Sequence, residues 1–136
     1  MSELLFRYVP DPDDEVGQLW FEVRTKNFSG SGFYWSTLFE LPKLIGRLRA
    51  YPLTEEVSSS WGCDAANGND AVLLLRLSPS HPLGGLEAIV EVADLDDPHQ
   101  RVKTKLQTDY ACLDRMLTEL GVLIQRREGE ALLQGF

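Results

Sequence analysis

The chain has 136 residues, with 43% hydrophobic and 25% charged side chains and a formal net charge of −8 from 21 Asp plus Glu against 13 Lys plus Arg. That balance and length describe one globular domain able to bury roughly two thirds of its unfolded surface, and exclude a disordered or fibrous chain. A surface this acidic repels phosphate backbones, so nucleic acid is disfavoured as a partner and a basic protein is favoured.

The longest apolar run, Ala71 to Leu75 (AVLLL), falls far short of the roughly 20 residues of a membrane helix, so no membrane span is expected. The N-terminal MSELLFRY has neither a basic region nor a long apolar stretch, so a secretory signal is not expected and the cytoplasm is the expected compartment. In that reducing setting the only two cysteines, Cys63 and Cys112, read as buried thiols rather than a disulfide, and they imply no zinc site.

Glu3 to Tyr8 is short, apolar and aromatic, and Val9-Pro10 stops it; it reads as a first strand. Asp11-Pro-Asp-Asp-Glu15 is an acidic turn whose carboxylates can bond their own backbone, and it lacks the glycine and glutamate spacing of a calcium loop. From Gln18 to Phe28 residues alternate, Leu19, Phe21, Val23 and Thr25 on one side and Trp20, Glu22, Arg24 and Lys26 on the other. Ser29-Gly30-Ser31-Gly32 reads as the hairpin connection into a third strand from Phe33 to Phe39. No helix follows those glycines, so they do not make a phosphate loop.

Pro42 suits the first turn of a helix running from Leu41 to Tyr51, with Leu41, Leu44, Ile45 and Leu48 as its apolar stripe and Pro52 as its stop. Glu55 to Trp61 is a weak strand because of Ser58-Ser59-Ser60, and the stretch from Gly62 to Asp70 reads as a loop. Ala71 to Leu77, apolar except for Arg76, reads as a central strand covered on both faces.

The clearest signal is the pair of strands Leu86 to Ala93 and Arg101 to Thr108, followed by an amphipathic helix. A tight connection between them would set Glu91 beside Lys103, and Glu87 beside Gln107 or Lys105, neutralising the one basic row that could face a nucleic acid. Thr108 or Asp109 caps the helix, whose apolar positions are Tyr110, Leu113, Leu117, Leu120 and Ile124, widened by Cys112 and Met116. Glu130 to Phe136 fits either a short strand or a docked tail. The fold expected is α+β: one domain with an antiparallel sheet of five to seven strands joined by sequential hairpins, carrying two amphipathic helices.

Candidate chemistry is sparse. Of the two histidines, His81 lies in a Ser-Pro turn and His99 closes the cluster Asp94-Leu-Asp96-Asp97-Pro98-His99, the best metal or acid–base candidate in the chain. A tight hairpin loop fans such side chains into water, and there is no G-x-S-x-G elbow, so neither catalytic, metal nor cofactor-binding residues are assigned and the protein is not expected to be an enzyme. Trp20, Tyr34, Trp35 and Trp61 raise another reading: Trp20, and one of Tyr34 and Trp35, fall on the polar side of their strands, and exposed rings on a sheet face mark a protein interface.

The succession LPKLIGRLRAY, LLLRLSP, GGLEAIVEV and TDYACLDRMLTEL, spanning Val16 to Ile124, resembles the small bacterial immunity proteins that accompany polymorphic or contact-dependent toxins. The resemblance implies stoichiometric inhibition without turnover, with acidity complementing a basic toxin. Its motifs are spacings rather than a signature, and no family site residue maps onto a numbered position. The expected function is a non-catalytic protein-binding module; the alternatives are a homo-oligomeric structural or adaptor protein, with a homodimer as its partner, and a small metal-dependent hydrolase using the Asp94–His99 loop.

Overall fold

A computed structural model describes residues 2–50, 52–62, 71–81 and 84–136, with His81 described by its backbone alone. Tyr51, Cys63, the loop 63–70 and the His81 side chain, on which some of the sequence expectations rest, lie outside the described residues.

Among the described residues eight strands and two helices follow in the order β1 (Ser2–Val9), β2 (Gly17–Arg24), β3 (Ser29–Ser36), α1 (Leu41–Leu48), β4 (Val57–Trp61), β5 (Leu73–His81), β6 (Gly85–Ala93), β7 (Arg101–Asp109), α2 (Tyr110–Arg126) and β8 (Gly129–Gly135). The class is α+β with two helices, but the strands make two four-stranded antiparallel sheets, β3-β2-β1-β8 and β4-β5-β6-β7, instead of one sheet of five to seven strands. The physical reason is that β1 takes its second partner from the far end of the chain. Leu5 pairs with Leu132 and Ser2 with Gly135, so the C-terminal segment is a strand and the N-terminal hairpins form a sheet of their own.

Period-two patterning decides which face of each strand is inside. Leu4, Phe6 and Tyr8 of β1 and Leu19, Phe21 and Val23 of β2 are buried on the inner face of the first sheet. Leu73, Leu75 and Leu77 of β5 and Leu86, Ala88, Val90 and Val92 of β6 are buried on the second. β5 is central in its sheet as its sequence suggests, yet its two faces differ: Leu73, Leu75 and Leu77 are buried, whereas Leu74 is half-buried and Arg76 exposed.

β7 crosses one end of the first sheet and meets its strands in turn. Val102 lies against Gly30 of β3, Thr104 Oγ1 donates to Thr25 Oγ1 just beyond β2 at 3.3 Å, and Thr108 Oγ1 donates to the Gln134 carbonyl of β8 at 2.7 Å. This crossing corrects the reading of Ser29–Gly32 as a turn. The chain reverses earlier, where Thr25 N donates to the Phe28 carbonyl at 2.7 Å, and β3 begins at Ser29. Gly30 and Gly32 are inner-face strand residues, bare because the second sheet comes too close to leave room for a Cβ.

The helices complete the core. α1 buries Leu41, Leu44 and Leu48 and ends there, short of the expected Tyr51. α2 is capped by Asp109, whose carboxylate accepts from Cys112 N at 2.8 Å, and buries Leu113, Met116, Leu117, Leu120 and Leu123. Tyr110 Oη accepts from Leu53 N at 2.8 Å, tying the segment after α1 to the start of α2. At its other end, Arg127 in a left-handed conformation turns the chain into β8, and Glu119 Oε1 accepts the backbone N–H of Leu132 at 3.0 Å, so α2 satisfies part of an edge strand.

Candidate interaction surface

Outer-face residues of the first sheet stand in rows set by strand register. Arg7 pairs with Trp20 and Trp20 with Phe33; one step along, Val9 pairs with Gln18 and Gln18 with Trp35. Alternation places Phe33 and Trp35 outside, so the rings collect: Trp20 and Phe33 lie 4.7 Å apart between centroids, and Phe33 meets Trp35 edge to face at 5.7 Å. The Arg7 guanidinium sits 5.7 Å from the Trp20 ring centre and 3.7 Å from Glu22, while Trp20 Nε1 donates to Gln18 Oε1 at 3.0 Å. Trp35, at the edge of the group, is 52% exposed.

Two turns border the Trp35 end of this patch. The first is the acidic turn, fully exposed, in which Asp11 Oδ1 accepts from Asp13 N at 2.9 Å and Asp14 Oδ1 from Val16 N at 3.2 Å. Those bonds fix the turn and direct its acids to solvent. The second turn, residues 37–40, holds Leu38 buried in the left-handed region at φ 68° and leaves Phe39 84% exposed. It is pinned from three sides. Ser36 Oγ accepts from Leu38 N at 2.9 Å, the Tyr34 hydroxyl donates to Glu40, and Arg127 donates to the carbonyls of Thr37 at 3.4 Å and Glu15 at 2.5 Å, joining the two turns. Burial, reinforced by the Glu40 carboxylate, pushes the Tyr34 hydroxyl far above its ordinary range and keeps it protonated.

Of the four rings that sequence reasoning offered as an interface, the structure brings Trp20 and Trp35 to one outer face and places Tyr34 and Trp61 in the core. Trp61 comes from the second sheet to stack on Phe21 of the first at 5.9 Å, and Tyr34 stacks on the other side of that network at 5.8 Å from Phe21. The patch includes Phe33, which sequence reasoning missed, as it did Phe39, exposed on the bordering turn. Phe33 shares the parity of Trp35, and the inward Gly32 would have fixed the phase; Phe39 depends on the left-handed Leu38 and had no readable signal.

The other candidates do not converge. The His99 side chain is 96% exposed, 3.5 Å from Asp97, while Asp94 and Asp97 accept backbone N–H groups from Asp96 and His99 within the hairpin. No group of three or more His, Cys, Asp or Glu residues able to hold a metal occurs among the described residues. The basic row on β7 meets the acidic row on β6 in the expected register, Glu91 opposite Lys103 and Glu87 opposite Gln107. Its ion pairs are Arg101 with Glu91 at 2.6 Å and Lys105 with Glu87 at 3.8 Å. Cys112 is partly buried, and burial followed by the neighbouring Asp109 raises its thiol pKa.

Among the described residues no helix is long and apolar enough to cross a membrane. In comparison with known proteins, no family model, no curated protein and no solved structure matches this chain.

Proposed function

We propose that this protein is a non-catalytic binding module that engages a basic protein partner through the outer face of its first sheet. The observation that carries the reading is the juxtaposition at one end of that sheet: Trp20, Phe33 and Trp35 in contact, Phe39 exposed on one bordering turn, and the exposed acids Asp11, Asp13, Asp14 and Glu15 on the other. Aromatic anchors rimmed by charge are the usual make-up of a binding hot spot, and the acids select for cationic side chains. The guanidinium of Arg127 shares a depression with Asp13, Asp14 and Glu15, but its hydrogen bonds go to the Thr37 and Glu15 carbonyls, and one positive charge leaves the turn's four acids in excess.

A toxin neutralised by its immunity protein is the kind of basic partner this reading favours, in line with the sequence resemblance and the net charge of −8. Such a protein acts by occupancy and needs no catalytic group. The test is affinity capture with the tagged chain from a lysate of its source, read by mass spectrometry. One basic partner, released as salt is raised, is the expected result; recovery of the chain alone, as a homo-oligomer, overturns it.

A further inference from the structure

A second surface has the opposite charge. Arg47 from α1 and Arg76 from β5 line one depression of about 400 Å³ with Ser58, Ser59 and Ser60 of β4 and the leucines Leu74 and Leu75. Among the described residues neither arginine has a carboxylate within ion-pair distance, and Arg47 spends one of its donors on Ser59 Oγ at 3.2 Å. A guanidinium carries five N–H donors, so most remain free.

Protection of a sheet edge does not account for this arrangement. That need is met by charges on the edge strand itself, whereas β4 is the edge and carries three serines and no charge. By register Ser58 and Ser60 share the outer face of the sheet with Arg76 and Leu74, while Ser59 lies on the opposite face, where Arg47 of α1 donates to it, so Arg47 comes to the depression around the edge strand. In a chain of net charge −8, two arginines with no ion pair among the described residues beside the outward hydroxyls of Ser58 and Ser60, with no acid on β4 or β5, make a local exception to the overall sign.

We infer that this depression binds the phosphate group of a phosphomonoester, with Arg76 and, from around the edge strand, Arg47 clamping the oxyanion, the outward hydroxyls of Ser58 and Ser60 donating to it, and Leu74 lying beneath the organic part. Guanidinium forks match phosphate oxygens in geometry as well as charge, and hydroxyls supply neutral donors without adding repulsion. The site is separate from the aromatic face of the first sheet and does not depend on its partner.

The test is a titration of the full chain, followed by amide NMR, with inorganic phosphate, phenyl phosphate and benzyl alcohol as probes. Saturable shifts confined to residues 47, 58–60 and 74–76 are expected with both phosphates. Tighter binding of phenyl phosphate assigns an organic ester, and equal binding assigns free phosphate. R47Q and R76Q, both at exposed positions that leave the fold intact, are each expected to weaken phosphate binding about ten-fold, as loss of a charge-assisted contact requires. Absence of saturable shifts, shifts of the same size in the R47Q and R76Q variants, or equal binding of benzyl alcohol overturns the inference.

Discussion

Gly32 of β3 and Ala93 at the end of β6 approach so closely that a Cβ on Gly32 would lie 2.1 Å from the Ala93 carbonyl oxygen. That carbonyl belongs to backbone anchored in a strand, with Ala93 N donating to the Val72 carbonyl at 2.8 Å, so it cannot retreat as a flexible side chain would. The two sheets meet at this point only because β3 has no side chain there.

The substitution Gly32→Ala is therefore expected to destabilise the protein by about 2–3 kcal/mol in urea unfolding, at the upper end of overpacking costs. Gly121, inside α2 with nothing within 4 Å of its would-be Cβ, is the control. There alanine removes only the poor helix propensity of glycine and is expected to stabilise by about 0.5–1 kcal/mol. Equal effects at the two positions would contradict the close approach.

Trp61 and Trp35 separate packing from surface. Trp61 bridges the sheets through Phe21 and is 7% exposed, so Trp61→Ala is expected to cost about 3–5 kcal/mol by thermal or urea unfolding. Trp35, half in water, is expected to change stability by no more than about 0.5 kcal/mol when replaced by alanine. A large loss for Trp35→Ala would show that this ring belongs to the core.

Tyr34 gives a pH dependence whose sign follows from linkage. Its hydroxyl pKa is raised in the folded state above the ordinary value of 10.0, by burial first and by Glu40 second. Below that value both states are protonated and the Tyr34–Glu40 bond contributes in full; above it the unfolded chain ionises while the folded one resists, so stability falls as pH rises beyond about 10. Tyr34→Phe is expected to lose about 1 kcal/mol near neutral pH, one buried hydrogen bond, and to show a shallower alkaline decline. Urea unfolding of both proteins from pH 7 to 11 measures this, and parallel curves would contradict it.

Much of this architecture was legible in the residues, for definite reasons. Leu86 to Ala93, Arg101 to Thr108 and the Asp109-capped helix are local in sequence, so alternation and a tight turn set their register, including Glu91 opposite Lys103. β8 was ambiguous because its partner, β1, lies more than a hundred residues away and no local rule selects it. The Gly30 and Gly32 positions were misread since a glycine in a turn and a glycine under a crossing strand look alike until the second sheet is in place. Of the surface patch, alternation placed Trp20 but left Tyr34 and Trp35 unresolved. Trp61 required knowledge of which sheet face its strand presents, and Phe39 required the left-handed backbone at Leu38.

The central claim is that the aromatic and acidic end of the first sheet holds a basic partner. Its most direct measurement is the dissociation constant of the captured partner for the unaltered chain, for Trp35→Ala and for the pair Asp13→Asn, Asp14→Asn. Loss of a hot-spot ring is predicted to weaken binding about 30-fold or more with the fold intact, and the neutralised turn to flatten the salt dependence. Affinities that are unchanged in both variants would contradict the claim and place the partner on another face.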